Sequence, residues 1–389
     1  SGNPWKNNRT TEPASLSLID DTHYMSLALQ LAERGLYSAH PNPRVGSVVV
    51  REGDIVGQGW HRRAGEPHAE VNALNEAGDR ARGATAYVTL EPCSHHGRTP
   101  PCADALIDAG VARVVIAAAD TNPDVSGQGR ERLEQAGIEV TSGVLERPAR
   151  ELNCGFLRRM RGARPWCRVK MAASLDGRTA MASGESQWIT GSQARSDVQR
   201  LRARSGAIVT GAGTVRADDP SLTVRLEELG DIGHRALPLA EPLRVILDRD
   251  LTTPPSAKVI TGGGSVLLVT TETAIDATRA GALRDNGADV ITVRPDDQGQ
   301  PDLRAVMDEL ATRAINEVLI EAGPSLAGAA MQSGIVDEFW LYQAPTFLGS
   351  KARPMAALSL DTMAQQYRMA VLDRRIVGGD QRIILQPHY

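Results

Sequence analysis

Thr85-Ala86-Tyr87-Val88-Thr89-Leu90-Glu91-Pro92-Cys93, followed after a short loop by Pro101-Cys102-Ala103-Asp104-Ala105-Leu106-Ile107-Asp108-Ala109-Gly110, decides the architecture of the first half of this chain. Residues 85–90 are a β-rich run that delivers Glu91, Pro92 and Cys93 at its carboxyl end, where open α/β sheets bind ligands. Residues 102–109 predict a helix stopped by Gly110, and Val111 to Ala118 predicts a further apolar strand. Upstream, Val45 to Val50 and Ile55 to Trp60 predict paired strands around the turn Glu52-Gly53-Asp54. Asp20-Asp21 is read as the cap of a helix carrying Met25, Leu27, Ala28, Leu31 and Ala32, ended at Gly35. A further helix starts at His68. Strands alternating with helices predict a three-layer α/β sandwich.

The chemistry of this half centres on His68, Cys93 and Cys102, with Glu70 beside them. A structural zinc site closes with four protein ligands, whereas a catalytic one has three and leaves a position for water; this pattern offers three. Such a zinc lowers the pKa of bound water toward ~7. A carboxylate outside the ligand set can then shuttle the proton to a leaving group, and Glu70 is the candidate. H-x-E followed by P-C-x-x-C is the signature of zinc nucleobase deaminases, with the Glu as general acid/base. Here eight residues separate the two Cys, among them Ser94, His95, His96, Gly97 and Arg98. Pro67, Pro92 and Pro101 each precede a ligand, which predicts helix starts at all three, where the helix dipole favours thiolate. Residues two apart on a regular helix point about 200° apart, so Glu70 is expected to reach the water from another side than His68. Two other readings stand beside this one: a satisfied core histidine with ordinary Pro-Cys turns, and a closed structural site completed by His95 or His96.

Composition bounds the rest. At 389 residues the chain predicts two or three domains. A net charge of −4 gives no basic excess for nucleic acid. Four cysteines, two of them in the metal reading, do not make a disulfide framework, and Cys154 and Cys167 are read as small buried side chains. No apolar run is long enough for a bilayer and no secretory signal is evident, which predicts a cytoplasmic protein away from membranes. The predicted organisation is a disordered tail over residues 1–19, one domain over 20–163, and a second over 164–389 that follows the breaker-rich stretch Arg161-Gly162-Ala163-Arg164-Pro165.

The second half predicts α/β structure again. Strands are expected at Trp166 to Ser174, Ala207 to Gly211, Leu243 to Leu247, Val266 to Val269 and Val318 to Ala322, and helices at Ser192 to Ala203 and Leu303 to Ala314. Glycine-rich loops follow two of these strands, at Thr210-Gly211-Ala212-Gly213-Thr214 and at Glu321-Ala322-Gly323-Pro324-Ser325-Leu326-Ala327-Gly328. In the second, Pro324 suits a first helical position and the N–H groups beyond it suit a diphosphate. Neither is a complete nucleotide fingerprint, and two plain surface turns remain the alternative. Arg216, Asp218, Asp219 and Arg225 form either a solvated face or, with Arg202 and Arg98, a set for a phosphorylated substrate.

The chain resembles the bifunctional riboflavin-biosynthesis deaminase/reductase family from residue 20 onward. The residues that carry the likeness are Pro41-Asn42-Pro43, Gly65 to Glu70, Ala84 to Cys102, Ser174-Leu175-Asp176-Gly177-Arg178, Ser183 to Thr190, Ala217-Asp218-Asp219-Pro220 and Asp337-Glu338. Ser47 stands where the family often has Cys, and Ala322 where it often has Gly. The resemblance implies a cytidine-deaminase-like N-terminal domain that uses Zn2+ to hydrolyse the 2-amino group of a diaminopyrimidinone ribosylamino phosphate. It also implies a dihydrofolate-reductase-like C-terminal domain that uses NADPH to reduce the ribose of the resulting aminouracil, and a homo-oligomer. By the same resemblance Ala172, Trp188, Thr214, Asp218, Gly323, Pro324, Ser325, Leu326, Ala327, Gly328 and Ala329 match NADP-binding positions, while Ser186, Arg202, Leu222, Arg225 and Glu321 match substrate-binding ones. A nucleic-acid deaminase would call for a basic groove with stacking aromatics, against 4% aromatics and a negative net charge. A non-catalytic NADPH-binding protein would have lost Glu70 or a ligand, and all four are present.

Overall fold

The computed structural model describes residues 14–94, 100–122, 126–230 and 239–389, with the backbone alone for 14–19. The chain divides into two compact units, Ser1–Leu36 with Pro43–Asn153, and Tyr37–Asn42 with Cys154–Tyr389. The division falls at Asn153/Cys154 rather than at 163/164, because the helix Cys154–Met160 seats on the second unit. There Gly155 backs onto the Asn316 carbonyl so closely that a Cβ would lie 2.2 Å from its oxygen.

The first unit is a five-stranded sheet of β1 (Gly46–Arg51), β2 (Asp54–Trp60), β3 (Thr85–Leu90), β4 (Arg113–Ala118) and β5 (Glu139–Ser142) in the order β2-β1-β3-β4-β5. β1 runs antiparallel to both β2 and β3, and β3, β4 and β5 are parallel. Helices α2 (Ala69–Ala77) and α3 (Cys102–Ala109) pack together on one face, and α1 (Ala14–Glu33) covers the other. Helix α4 (Gln128–Gln135) flanks α3, and α5 (Glu146–Leu152) packs on β4. This is the three-layer sandwich expected from the alternation. Two details differ. Nothing between Ala14 and Ile19 breaks a helix, so the expected tail is helical from Ala14, and its first thirteen residues lie outside the described ones. Asp21 is therefore inside α1 and caps nothing; it is buried, gripped by both Arg113 Nη atoms at 2.8 Å and by the Tyr87 hydroxyl at 2.9 Å.

Glycines set how closely the helices lie on this sheet. A Cβ on Gly46 would meet the Ala28 carbonyl of α1 at 2.0 Å, and Cβ atoms on Gly57 and Gly59 would meet the Ala73 and Ala69 carbonyls of α2 at 2.1 and 2.3 Å. Gly59 thus sets the depth of the first turn of α2, the turn that carries Glu70. Gly59→Ala is expected to lift that turn and to destabilise the unit by about 1–3 kcal/mol, the usual cost of overpacking, measured by chemical denaturation.

The second unit holds β6 (Trp166–Ala173), β7 (Arg178–Ala180), β8 (Ala207–Gly211), β9 (Leu243–Leu247), β10 (Val266–Thr271), β11 (Asp289–Val293), β12 (Glu317–Glu321), β13 (Glu338–Gln343), β14 (Arg353–Pro354), β15 (Arg368–Val377) and β16 (Asp380–His388). Nine of them form one sheet, β11-β10-β9-β8-β12-β6-β13-β16-β15, parallel as far as β13 and antiparallel through the terminal hairpin; β7 and β14 pair apart from it. Successive residues alternate between two cores, as a two-sided sheet requires. Val209, Val245, Val318 and Ile320 face one core with Val306, Leu310, Ala327 and Met331 from the helices Leu303–Thr312 and Pro324–Gln332. Ile208, Ile246 and Leu319 face the other with Ala194, Val198 and Leu201 from Ser192–Arg204 and Val215 from Ala212–Asp218.

Candidate active sites

In the first unit, β3 ends at Leu90 and hands the chain to Glu91-Pro92-Cys93, while α2 and α3 begin beside that point. His68 is the residue before the first turn of α2, with extended backbone (φ −73°, ψ 169°), and Cys102 opens α3 directly after Pro101. Cys93 is the exception to the expected helix starts, since it lies in the loop that leaves β3. The loop itself makes the join: the Ala103 amide donates to the Cys93 carbonyl at 3.1 Å and the Cys102 amide to Cys93 Sγ at 3.3 Å. His68 Nδ1 lies 3.1 Å from Cys102 Sγ and 3.7 Å from Cys93 Sγ, and one donor atom from each residue falls within 4.8 Å of the others. Two ligands of one zinc at the tetrahedral angle lie about 3.5–3.8 Å apart, so this donor set fits the ion.

Glu70 sits in the first turn of α2, buried against the same three residues. The expectation that it reaches in from another side than His68 assumed that both are helical. His68 is outside the helix, so the 200° separation does not apply. Burial pushes the Glu70 carboxyl up to about 7, with the neighbouring His68 pulling the other way. A hydrogen bond with Cys102, against the cost of burial and helped by His68, brings the Cys93 thiol down to about 4. The same contact with Cys93, together with burial, pushes the Cys102 thiol up. The pair therefore gives up one proton readily, and a divalent cation supplies the charge that releases the second. His61 packs edge-on against the His68 ring, with centroids 5.2 Å apart. His95, His96 and Arg98 lie outside the described residues.

In the second unit a cleft of about 870 Å3 opens at the carboxyl ends of β6, β8 and β12, where parallel sheets bind ligands and with room for a ligand of dinucleotide size. Of the positions matched by resemblance, Ala172, Ser186, Trp188, Arg202, Thr214, Asp218, Leu222, Arg225, Glu321 and Gly323 to Leu326 line it. Ala327, Gly328 and Ala329 do not: they continue the helix away from the cleft, Ala327 is buried in the core, and a Cβ on Gly328 would meet the Ala357 carbonyl at 2.2 Å. At the mouth of that helix Pro324 has no N–H and the Ala327 N–H closes on the Gly323 carbonyl at 3.2 Å, so Ser325 and Leu326 bring the available donors. Trp188 stacks under the Arg195 guanidinium at 4.5 Å.

The polar end of the cleft holds a residue that the sequence reading passed over. Lys170 on β6 stands level with Glu321 on β12, and Arg202 grips Glu321 bidentately at 2.6 and 2.9 Å. Burial alone would raise Glu321, but Arg202 and then Lys170 hold its carboxyl below the usual range; burial pulls Lys170 down despite Glu321. The signal was a lysine inside a mostly buried strand, two residues after the buried Arg168, a placement that calls for a partner. Arg225 is turned to Glu228 at 2.6 Å, and its amide donates to Gln199 Oε1 at 3.1 Å.

Two family models match the chain: the cytidine and deoxycytidylate deaminase zinc-binding region over residues 18–118, and the RibD C-terminal domain over 165–374. The riboflavin biosynthesis protein RibD of Escherichia coli is 50% identical over 370 residues, covering 93% of this chain and 98% of that protein. This chain belongs to the RibD family. The RibD of Haemophilus influenzae is 44% identical over 371 residues, covering 94% and 97% of the two chains. Among solved structures, Acinetobacter baumannii RibD superposes with a TM-score of 0.87 at 46% identity, covering 96% of this chain and all of that one. A diaminohydroxyphosphoribosylaminopyrimidine deaminase/5-amino-6-(5-phosphoribosylamino)uracil reductase from Thermotoga maritima does so with a TM-score of 0.82 at 31% identity, with the same coverage. The sandwich of the first unit falls within the match to the deaminase zinc-binding region and the mixed sheet of the second within the match to the RibD C-terminal domain, apart from their last strands.

Proposed function

We propose that this chain carries out two successive steps of riboflavin biosynthesis: zinc-dependent hydrolytic deamination of a diaminopyrimidinone ribosylamino phosphate with release of ammonia, then NADPH-dependent reduction of the ribosyl group of the aminouracil to a ribityl chain. The observation that carries this reading is the meeting of His68, Cys93 and Cys102 around the buried Glu70. In this reading His68, Cys93 and Cys102 hold the zinc. Bound zinc supplies a Lewis acid that makes water acidic near neutrality. Glu70, buried beside the three ligands and outside the donor set, is placed to accept the proton of the attacking water and return it to the departing amine.

For the second step NADPH supplies the hydride. Ala172, Trp188, Thr214, Asp218 and Gly323 to Leu326 hold it, with the Ser325 and Leu326 N–H groups set for its phosphates. Ser186, Arg202, Leu222, Arg225 and Glu321 hold the substrate, joined by Lys170. With Arg202 and Lys170 beside one carboxylate, the inner end of the cleft carries one excess positive charge, which suits a phosphorylated ligand. No helix of the described residues is long and apolar enough to cross a membrane. The reading takes the protein as cytoplasmic and homo-oligomeric, and light scattering on the purified chain checks the second point.

The test is to incubate zinc-loaded protein with the diaminopyrimidinone ribosylamino phosphate, with and without NADPH, and to follow both products. Ammonia is expected in both samples and NADPH oxidation in step with it where the cofactor is present; absence of ammonia sinks the deaminase assignment. Cys93→Ser is expected to lose stoichiometric zinc by metal analysis and with it the ammonia, while NADPH oxidation on supplied aminouracil continues. A full complement of zinc in that variant would mean a different ligand set.

A further inference from the structure

Given the zinc reading above, we infer that α4 is a bracket that holds the two thiol-bearing segments together, with Glu91 and Arg132 as positioning residues for the metal site. In the short form of the motif two intervening residues tie the cysteines together. Here eight residues separate the cysteines, and beside the direct hydrogen bonds from the Cys102 and Ala103 amides to Cys93 the structure supplies a second connection from behind.

The connection has three parts. Glu91, two residues before Cys93 and buried, turns its carboxylate to the start of α4. Its Oε1 accepts from the amides of Gly129 and Arg130 at 3.1 and 3.3 Å, and its Oε2 from those of Asp120 and Gly127 at 3.2 and 3.1 Å. Gly127, the residue before the helix, has no side chain to cap it, so Glu91 is the cap brought from another segment. An anion there also meets the positive end of the helix. Next, Gly129 lies so close to the Pro92 carbonyl that a Cβ would sit 1.9 Å from its oxygen, which fixes α4 against the residue next to Cys93. Finally Arg132, one turn along, donates from Nη1 to the Ser94 carbonyl at 3.4 Å and pairs through Nε with Asp104 Oδ1 at 2.6 Å. Ser94 follows Cys93, and Asp104 lies in the first turn of α3 behind Cys102. One helix thus grips the chain before Cys93, after Cys93 and behind Cys102.

Residues that support metal ligands from outside the ligand set change metal affinity by roughly 10–100-fold when removed. The test is the rate at which a chromogenic chelator takes zinc from the full-length holoprotein, for the unchanged chain, Glu91→Gln, Arg132→Met and Cys93→Ser. Arg132 is partly exposed, so its variant tests the bracket even if Glu91→Gln fails to fold by circular dichroism. Zinc release about 10-fold faster from folded Arg132→Met, with NADPH oxidation on supplied aminouracil unchanged, is the expected result. Release at the unchanged rate from folded Arg132→Met overturns the bracket. If Cys93→Ser loses its zinc at the same time, the zinc reading survives that failure. Should the unchanged chain hold no zinc at all, both fall together.

Discussion

Glu70→Gln is expected to retain its zinc and to lose ammonia release by about 10²–10⁴-fold, the range associated with removal of a general acid/base. The side chain keeps its size in a buried place at the first turn of α2, so packing is preserved while the ability to take and return a proton is gone. The donor set of His68, Cys93 and Cys102 does not include it. Metal analysis and an ammonia assay on one preparation separate the two roles: zinc lost along with activity would make Glu70 part of the metal shell, and retained turnover would remove it from the mechanism. NADPH oxidation on supplied aminouracil serves as the internal control, and it is expected to be unaltered.

The second large effect is expected from Glu321→Gln. That carboxylate is the counter-charge for both Arg202 and Lys170 at the inner end of the reductase cleft. Taking away one partner of a buried ion pair costs about 3–5 kcal/mol, and here Arg202 would be left with only the Thr223 carbonyl, at 3.2 Å, and the cleft in place of its carboxylate. Here two cations would be left facing each other. The expected outcome is a lower denaturation midpoint together with loss of NADPH oxidation. Adding Lys170→Met should recover part of the stability, since the two positions stand level on neighbouring strands and must couple. A single variant that stays within about 1 kcal/mol of the unchanged chain, an ordinary surface effect, would mean that the triad is not electrostatically closed.

Much of the framework was legible because the elements that build it carry clean signals. Residues 85–90 and 102–109 fold as expected, since one is a β-rich run ended by Pro92 and the other an apolar-faced segment stopped by Gly110 in left-handed geometry. The candidate metal-binding residues stood out by residue type, but the relation of His68 to Glu70 was not legible, because helix periodicity says nothing about a residue one step outside the helix. Helix α4 was not read at all. Leu133 is its one large apolar buried residue, and its attachment runs through backbone amides and the absence of a side chain at Gly129, neither of which leaves a periodic trace. The terminal hairpin β15–β16 was missed for a related reason: Val371, Leu372 and Ile376 are exposed among charged neighbours, so no two-residue alternation marks the strand. Lys170 was lost inside a strand read only for its apolar residues, and its register against Glu321 gives it meaning.

The glycines that seat α1 and α2 on the first sheet also bear on how that sheet assembles. Gly57 and Gly59 both face α2, with Gln58 between them on the other side. A slip of one residue in the pairing of β2 would turn every side chain to the opposite face, bringing Gln58 beneath the Ala69 and Ala73 carbonyls where only hydrogen now fits. A hairpin paired in the wrong register would refuse the helix. The seating of α2 therefore requires the observed register of β2, and the placement of Glu70 in its first turn, with His68 just before it, depends on that register.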